Sequence, residues 1–259
     1  MNIVFIGAGR LATNLAVALH QNGHRIVQVY SRTIESAQLL AERVGSTPVN
    51  RMEEVVAEAD AFVIAVSDAV LPQVISQLVQ GREHQAFFHT AGSMPIGLFE
   101  DKAERYGVIY PMQTFSKERL VDFSEVSVFI EATDASTLQL AKDIAHAVST
   151  HVYELSSEDR KQLHLAAVFA CNFCNHCFAL SAELLQKHGL PFSVMYPLIN
   201  ETVSKAMKMP PVQAQTGPAV RGDENVMQKQ QQLLADQPLM RDIYRLMSQS
   251  IQKLSQEQQ

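Results

Sequence analysis

The chain has 259 residues, 47% of them apolar and 19% charged, with a formal net charge of −6. Such a length sustains one or two domains with a sizeable core, and the composition is globular. The acidic balance argues against a nucleic-acid binder, and no apolar run approaches the roughly 20 residues of a membrane span. The start reads as a buried strand rather than a signal peptide, so a cytoplasmic protein with no membrane partner is expected.

The first apolar run, Asn2–Ile6, leads directly into Gly7-Ala8-Gly9-Arg10-Leu11-Ala12 and then a helical pattern to Gln21. Gly-x-Gly-x-x-Ala between a strand and a helix is the dinucleotide-binding turn. One glycine makes the bend, the next admits the pyrophosphate, and the small third residue lets helix and strand pack. Gly7, Ala8, Gly9, Arg10 and Leu11 are therefore expected at the cofactor. The alternative is a purely structural turn. A second strand, Arg25–Tyr30, ends in Ser31-Arg32-Thr33, where binders of the non-phosphorylated cofactor usually place an acid. With no acid there, Arg32 can pair with a 2′-phosphate and Ser31 and Thr33 can add hydroxyls, favouring NADP(H) over NAD(H). Otherwise Arg32 is a solvated surface residue.

A helical pattern at 34–44 precedes a third strand, Ala61–Val66, followed by Ser67-Asp68 and a helix at 69–79. Val66, Ser67 and Asp68 are expected to line the cofactor site, or Ser67 and Asp68 simply cap that helix. The fourth strand, Ala86–His89, ends in a histidine that is either a proton donor or bonded to a nearby loop. The fifth, Val108–Tyr110, runs into Gln113-Thr114-Phe115, placing Gln113 at the substrate. Strands at Ser127–Glu131 and Val152–Glu154 flank a helix at 135–149. Ligands in such sheets sit beyond the carboxyl ends of the strands.

The pattern changes after Glu154. One helical segment without proline spans 156–188 and ends at His188-Gly189-Leu190-Pro191, with glycine past the helix end and proline blocking continuation. Further helices are expected at 192–208, 224–235 and 238–254, before a polar tail, Ser255 to Gln259, that should fray. The fold is thus α/β: a Rossmann-type parallel sheet domain over 1–154, then an all-helical domain over 155–259.

On the long helix, His164, Cys171 and Asn175 fall within roughly 20° of one line at 100° per residue, with Asn172 at its edge. His164 is the candidate general acid, because imidazole titrates near neutral pH; its alternative is a satisfied core histidine. Asn172 can orient a carbonyl. Cys171, Cys174 and Cys177 splay over a wide arc of one helix, so no metal site is expected and small buried hydrophobes are the simpler reading. In Thr216-Gly217-Pro218-Ala219-Val220-Arg221-Gly222-Asp223, Asp223 is a plausible N-cap. Arg221 is either a contact for an anionic substrate or the cofactor, or a structural ion pair between domains or subunits.

The phosphate turn and Ser31-Arg32-Thr33 resemble the NADP-binding domain of pyrroline-5-carboxylate reductases and deazaflavin-dependent NADP reductases. The whole chain resembles a bacterial family of NADP oxidoreductases, with a Rossmann-like domain and a helical domain of unknown function. That second domain is similar to the C-terminal domain of 6-phosphogluconate dehydrogenases. Gln113-Thr114-Phe115, His164 with Ala166-Ala167, Asn172 and TGPAVRGD carry this likeness, the last most specifically. Tyr110 departs from it, standing where the pattern has a histidine before the proline. Val168 departs as well, four residues before Asn172, where the 6-phosphogluconate and hydroxyisobutyrate dehydrogenases carry a lysine. The resemblance implies a homodimer through the helical domain. It also implies hydride transfer from NADPH to a C=O or C=N bond of a small, anionic substrate, a 2-oxo acid such as ketopantoate or a cyclic imine. The competing reading is a non-catalytic NADP(H) sensor or scaffold, which would have no need of His164.

Overall fold

A computed structural model of the chain describes residues 1–257. The expected polar tail lies partly outside the described residues, and its first residues, Ser255 and Gln256, belong to the last helix rather than fraying. Eight strands form one sheet: β1 Asn2–Ile6, β2 Arg25–Tyr30, β3 Thr47–Val49, β4 Ala61–Ile64, β5 Ala86–His89, β6 Arg105–Pro111, β7 Val128–Ala132 and β8 Val152–Glu154. Their spatial order is β3-β2-β1-β4-β5-β6-β7-β8. Four helices cover it: α1 Arg10–Gln21, α2 Ile34–Val44, α3 Leu71–Val79 and α4 Ala135–His146.

Two features depart from the sequence reading. The sheet is not wholly parallel, because β7 runs antiparallel to β6, with Ile109 opposite Ile130. The segment between them holds only a short 3-10 turn at Phe123–Glu125. Without a helix to cross the sheet face, the chain turns back at the rim it has just reached. The second is β3, which no pattern announced. It is three residues long, carries Pro48 and lies at the sheet edge, where a strand can spare an N–H.

Strand alternation builds two cores. Ile3 and Phe5 face one side with Leu15, Leu19, Leu40, Val63, Phe88 and Ile144. Val4 and Ile6 face the other with Phe62, Phe87, Ile75 and Phe99. Successive side chains of a strand point to opposite faces, so apolar runs such as Val4–Ile6 serve both layers.

The compact units are Met1–Asn172 and Phe173–Gln259, so the division falls well beyond the expected break after Glu154. The reason is α5, Ser157–Ala167, whose first turns belong to the sheet domain. Arg160, wholly buried, meets Glu131 of β7 at 2.5 Å and donates to the Met94 carbonyl at 2.7 Å. After α5 comes a π-helical turn, Val168–Phe173, and then α6, Cys174–Lys187. The expected single α-helix is thus interrupted by a wider turn, a feature frequent at functional sites.

The second unit holds α6, α7 Tyr196–Lys208, α8 Pro211–Ala214, α9 Glu224–Gln232 and α10 Pro238–Gln256. Gly189, at φ +69°, follows the end of α6, and Asp223 caps α9 by accepting from the Val226 N–H, both as the sequence implied. Neither α6 nor α7 has a buried residue.

Asn14 of α1 anchors the segment between β6 and β7. Its amide donates to the carbonyls of Arg10 and Ser116 and accepts from the Val121 N–H, at 2.7–2.9 Å. With 2% of Asn14 exposed, truncation leaves those loop groups without partners. Asn14→Ala should therefore lower unfolding free energy by about 2–4 kcal/mol, read from urea denaturation. A change under about 0.5 kcal/mol, the range of ordinary surface substitutions, would contradict this account.

Candidate active site

At the carboxyl rim of β1, β2 and β4 lies a trough of about 560 Å³ lined by Gly7, Ala8, Gly9, Ser31, Arg32, Thr33, Val66 and Ser67. Gly7 makes the bend at φ +116°, and a Cβ there would stand 2.3 Å from the Ala65 carbonyl oxygen. At Gly9 a Cβ would meet nothing within 4 Å, so open space fronts the start of α1. No side chain caps that helix, which leaves first-turn N–H groups and the positive end of the dipole for an anion. The residues thus fit a dinucleotide: a pyrophosphate at α1, and a ribose phosphate beside Arg32, Ser31 and Thr33. Ser36 and Lys117 also line the trough. Lys117 escaped the sequence reading because it lies far along the chain, in the loop that Asn14 anchors. The Arg43 guanidinium also donates to the Lys117 carbonyl at 3.2 Å.

Several expected cofactor residues are placed elsewhere. Leu11 is half-buried and packs against the core. Arg10 lines a second cavity, described below. Asp68 is exposed and accepts from the Ser93 hydroxyl, and neither it nor Ser67 caps α3, whose N-cap is Val70. His89 is fully buried, so it is neither a contact on the rim nor a proton donor. Its Nδ1 accepts from the Ala91 N–H at 3.2 Å, and its ring stacks on Phe99. Its Nε2 lies toward the Pro95 carbonyl without reaching hydrogen-bond geometry. Burial first, then the Arg160 charge, pushes its pKa down to about 3, so the ring is neutral at physiological pH.

The second cavity, about 670 Å³, opens between the β6 rim and α5 within the first unit. His164, Asn172 and Gln113 line it, as do Cys171, Tyr110, Arg10 and a bank of small residues, Ala166, Ala167 and Ala170. The π turn brings Asn172 into the lining, whereas Asn175, expected on the same line as His164, is outside it. A helix with more residues per turn advances less than 100° at each, so the projected stripe does not hold beyond Val168. Gln113 turns part of its amide inward, accepting from the Thr114 N–H at 2.8 Å.

His164 lies one helical turn after Arg160, on the face of α5 turned to the sheet. Its Nδ1 is 3.0 Å from the Tyr110 hydroxyl, and the rings meet edge-on at 5.9 Å. Burial raises the pKa of Tyr110 against a smaller opposing pull from Arg160, so the phenol keeps its proton. Tyr110 could have been found from the sequence as the residue ending the strand at the rim, but its partner lies 54 positions away.

Arg221 is exposed in the turn before α9, in the second unit. Among the described residues no group of three or more His, Cys, Asp or Glu could hold a metal ion. Burial pushes the Cys177 thiol up, away from the thiolate form that metal binding or redox exchange needs.

Residues 1–112 match the Rossmann-like domain family, and residues 126–251 match a domain of unknown function (DUF2520). A solved structure described as "putative NADP oxidoreductase BF3122" from Bacteroides fragilis is 50% identical, covers 97% of this chain and 98% of its own, and superposes with a TM-score of 0.93. The chain belongs to that family, in which a Rossmann-like domain precedes the DUF2520 domain, as the resemblance read from the sequence implied. More distant folds include an imine reductase from Myxococcus stipitatus in complex with NADP+ (16% identity, 99% of this chain, 93% of that one, TM-score 0.67). A pyrroline-5-carboxylate reductase from Coxiella burnetii is also similar (20%, 99%, 97% and 0.59). Among curated proteins, a glutamyl-tRNA reductase from Brevibacillus brevis is 29% identical over 105 residues, 39% of this chain but 23% of that protein's length.

The burial of His89 has a consequence for acid stability. The native ring stays neutral down to about pH 3, while the unfolded ring takes up a proton below about 6.5. Between those values the unfolded state binds more protons, so stability falls with falling pH, by at most about 1.4 kcal/mol per unit from this residue. Denaturant titrations of the wild type and His89→Asn should diverge in slope across that window. Parallel slopes would show that His89 titrates normally in the native protein.

Proposed function

We propose that the protein is an NADP(H)-dependent oxidoreductase acting on a C=N or C=O bond of a small anionic substrate. The observation that carries this reading is the adjacency of two cavities on one rim. One is fitted to a phosphorylated dinucleotide by Gly7, Gly9 and Arg32. The other is lined by His164, Asn172 and Gln113. Bound NADPH would supply the hydride, leaving the chain to position the acceptor and manage one proton. Arg10 is the cation of the second cavity, whose lining contains no carboxylate, which suits a substrate anion. His164 hands a proton to the nitrogen or oxygen of the reduced bond, and Asn172 and Gln113 hold its polar substituents. The small residues of the bank leave room for an apolar ring or chain.

We also propose that the protein acts as a homodimer through its helical unit. Among the described residues the buried apolar ones of that unit are Ala219, Met227, Leu234 and Met240, too few for a core of its own. The helix Ser157–Lys187 has an 18-residue window of mean hydropathy 1.4, none of it buried. The sequence alone predicts no membrane span, yet by length and composition this helix is long and apolar enough for one. Its polar residues favour a protein partner over lipid: Asn175 and His176 would be costly to leave unsatisfied in lipid, whereas a protein partner can bond them. Sedimentation should give twice the chain mass, and Leu198→Asp, at a position 63% exposed on α7, should shift it toward the monomer. A monomeric wild type at micromolar concentration, or one that partitions into lipid vesicles, would overturn this.

For the reaction, titration calorimetry should show NADPH binding more tightly than NADH. Arg32→Ala should weaken NADPH by about ten- to a hundredfold, the worth of a charge-assisted contact, and leave NADH unchanged. Against a panel of cyclic imines and 2-oxo acids, ketopantoate included, His164→Ala should lower kcat by about 10²–10⁴-fold with NADPH affinity kept. No binding of either cofactor would overturn the reading. Binding without turnover of any panel member, unaffected by His164→Ala, would favour a sensor.

A further inference from the structure

Three observations converge on one side chain that neither the family description nor the proposed reaction assigns. The Tyr110 hydroxyl is 3.0 Å from Nδ1 of His164. Tyr110 is itself 7% exposed, and the imidazole is the hydrogen-bond partner the structure gives that hydroxyl. Gly92, in the loop after β5, makes room for both rings: a Cβ there would stand 2.6 Å from His164 Nδ1 and 2.8 Å from Tyr110 Cζ. Contacts that short do not occur in folded proteins, so a side chain at this position is incompatible with the pair. The space is built for the contact.

We infer that Tyr110 is a positioning residue that fixes the tautomer of His164, keeping the exchangeable proton on Nε2, the ring nitrogen left to the cavity. A buried phenol O–H needs an acceptor. Nδ1 of a neutral imidazole is one only when Nε2 carries the hydrogen. Among the described residues Nε2 has no protein partner, so this N–H is presented to whatever occupies the cavity. A hydroxyl can also reverse its role. When the ring is cationic, Nδ1–H donates to the phenol oxygen, and the Nε2 proton is the one free to leave. On transfer, the N–H electron pair stays on Nε2 and the proton joins the basic nitrogen or oxygen of the substrate. The ring left behind holds its proton on Nδ1 only for that moment: hydronium from solvent returns a proton to Nε2 and the Nδ1 proton passes to water, which restores the Nε2–H tautomer that accepts from the phenol. Phenylalanine at 110 would preserve the edge-on ring contact but leave the tautomer unspecified.

The assignment of a proton-transfer role to His164 rests on the proposed reaction; the tautomer itself does not. The test is nitrogen-15 NMR of the full chain, with histidine labelled and the His164 signals identified by their loss in His164→Gln. At alkaline pH the wild type should show an unprotonated Nδ1 and a protonated Nε2. In Tyr110→Phe those shifts should move toward the averaged values of a free imidazole. A wild-type ring protonated on Nδ1, or a tautomer unchanged in Tyr110→Phe, overturns the inference. If Tyr110→Phe fails to fold by circular dichroism, the wild-type spectrum alone decides. With NADPH and a cyclic imine that is turned over, Tyr110→Phe should lower kcat by about ten- to a hundredfold and leave the KM for NADPH in place. Absence of turnover in the wild type with the expected tautomer present would defeat the reductase reading and leave this inference standing.

Discussion

Arg160 carries a full charge with 1% of its side chain exposed, and the candidate site depends on where that charge goes. An isolated guanidinium in such a place costs several kcal/mol, and removing the partner of a buried ion typically costs about 3–5 kcal/mol. Glu131 on β7, the Met94 carbonyl and the Ser157 hydroxyl satisfy most of its donors, although Nε is left without a partner. Glu131 also accepts from the Ser157 N–H and hydroxyl, so the same carboxylate holds the first turn of α5. The helix is thereby pinned at its start to the antiparallel end of the sheet. His164 follows one turn later and arrives at Tyr110. The charge is felt beyond its contacts: it adds to the depression of His89 and opposes the rise of Tyr110.

That clamp explains why the units divide inside the helix rather than before it. The residues of α5 proposed to carry chemistry are part of the sheet domain, and the chain leaves it through the π turn. A wider turn at that point has a local use. It lets both Cys171 and Asn172 reach the cavity that His164 lines, which a regular continuation would separate by a full 100° step.

The sequence was most readable where a local pattern has one physical solution. Gly7 and Gly9 between a strand and a helix, the acid-free Ser31-Arg32-Thr33, and the continuous apolar strands all led to elements the structure contains. His164, Asn172 and Gln113 were found by residue type and meet in one cavity. Most of the failures share a cause, which is that they depend on distant partners. His89 ends a rim strand, yet the loop after β5 folds over it and Phe99 stacks on it, and nothing near His89 in sequence announces that lid. Asp68 reads as a cofactor contact or a helix cap because its partner, Ser93, is 25 residues on. Arg160 sat unremarked in a polar stretch, Asp159-Arg-Lys-Gln, since burial of a charge is written in Glu131. The π turn has no residue signature at all.

One buried amide ties the two cavities together. Asn14 belongs to α1, the helix whose N-terminus forms the phosphate turn, and its bonds reach the Ser116 carbonyl and the Val121 N–H across more than 100 residues of chain. The loop so held contributes Lys117 to the cofactor trough and Gln113, Thr114 and Phe115 to the second cavity. Phe115 stacks on Phe123 and packs against the α1 side of the core, which gives the loop an apolar foot as well as a polar anchor. The groups expected to meet a ribose phosphate and those expected to meet a substrate are therefore referenced to one helix. A hydride donor and acceptor must be held within a few tenths of an ångström, and a site built from a mobile loop would lose that registration. Two hydrogen bonds from one residue that is 2% exposed hold the longest irregular stretch of the sheet domain in place, and a third ties that residue to its own helix.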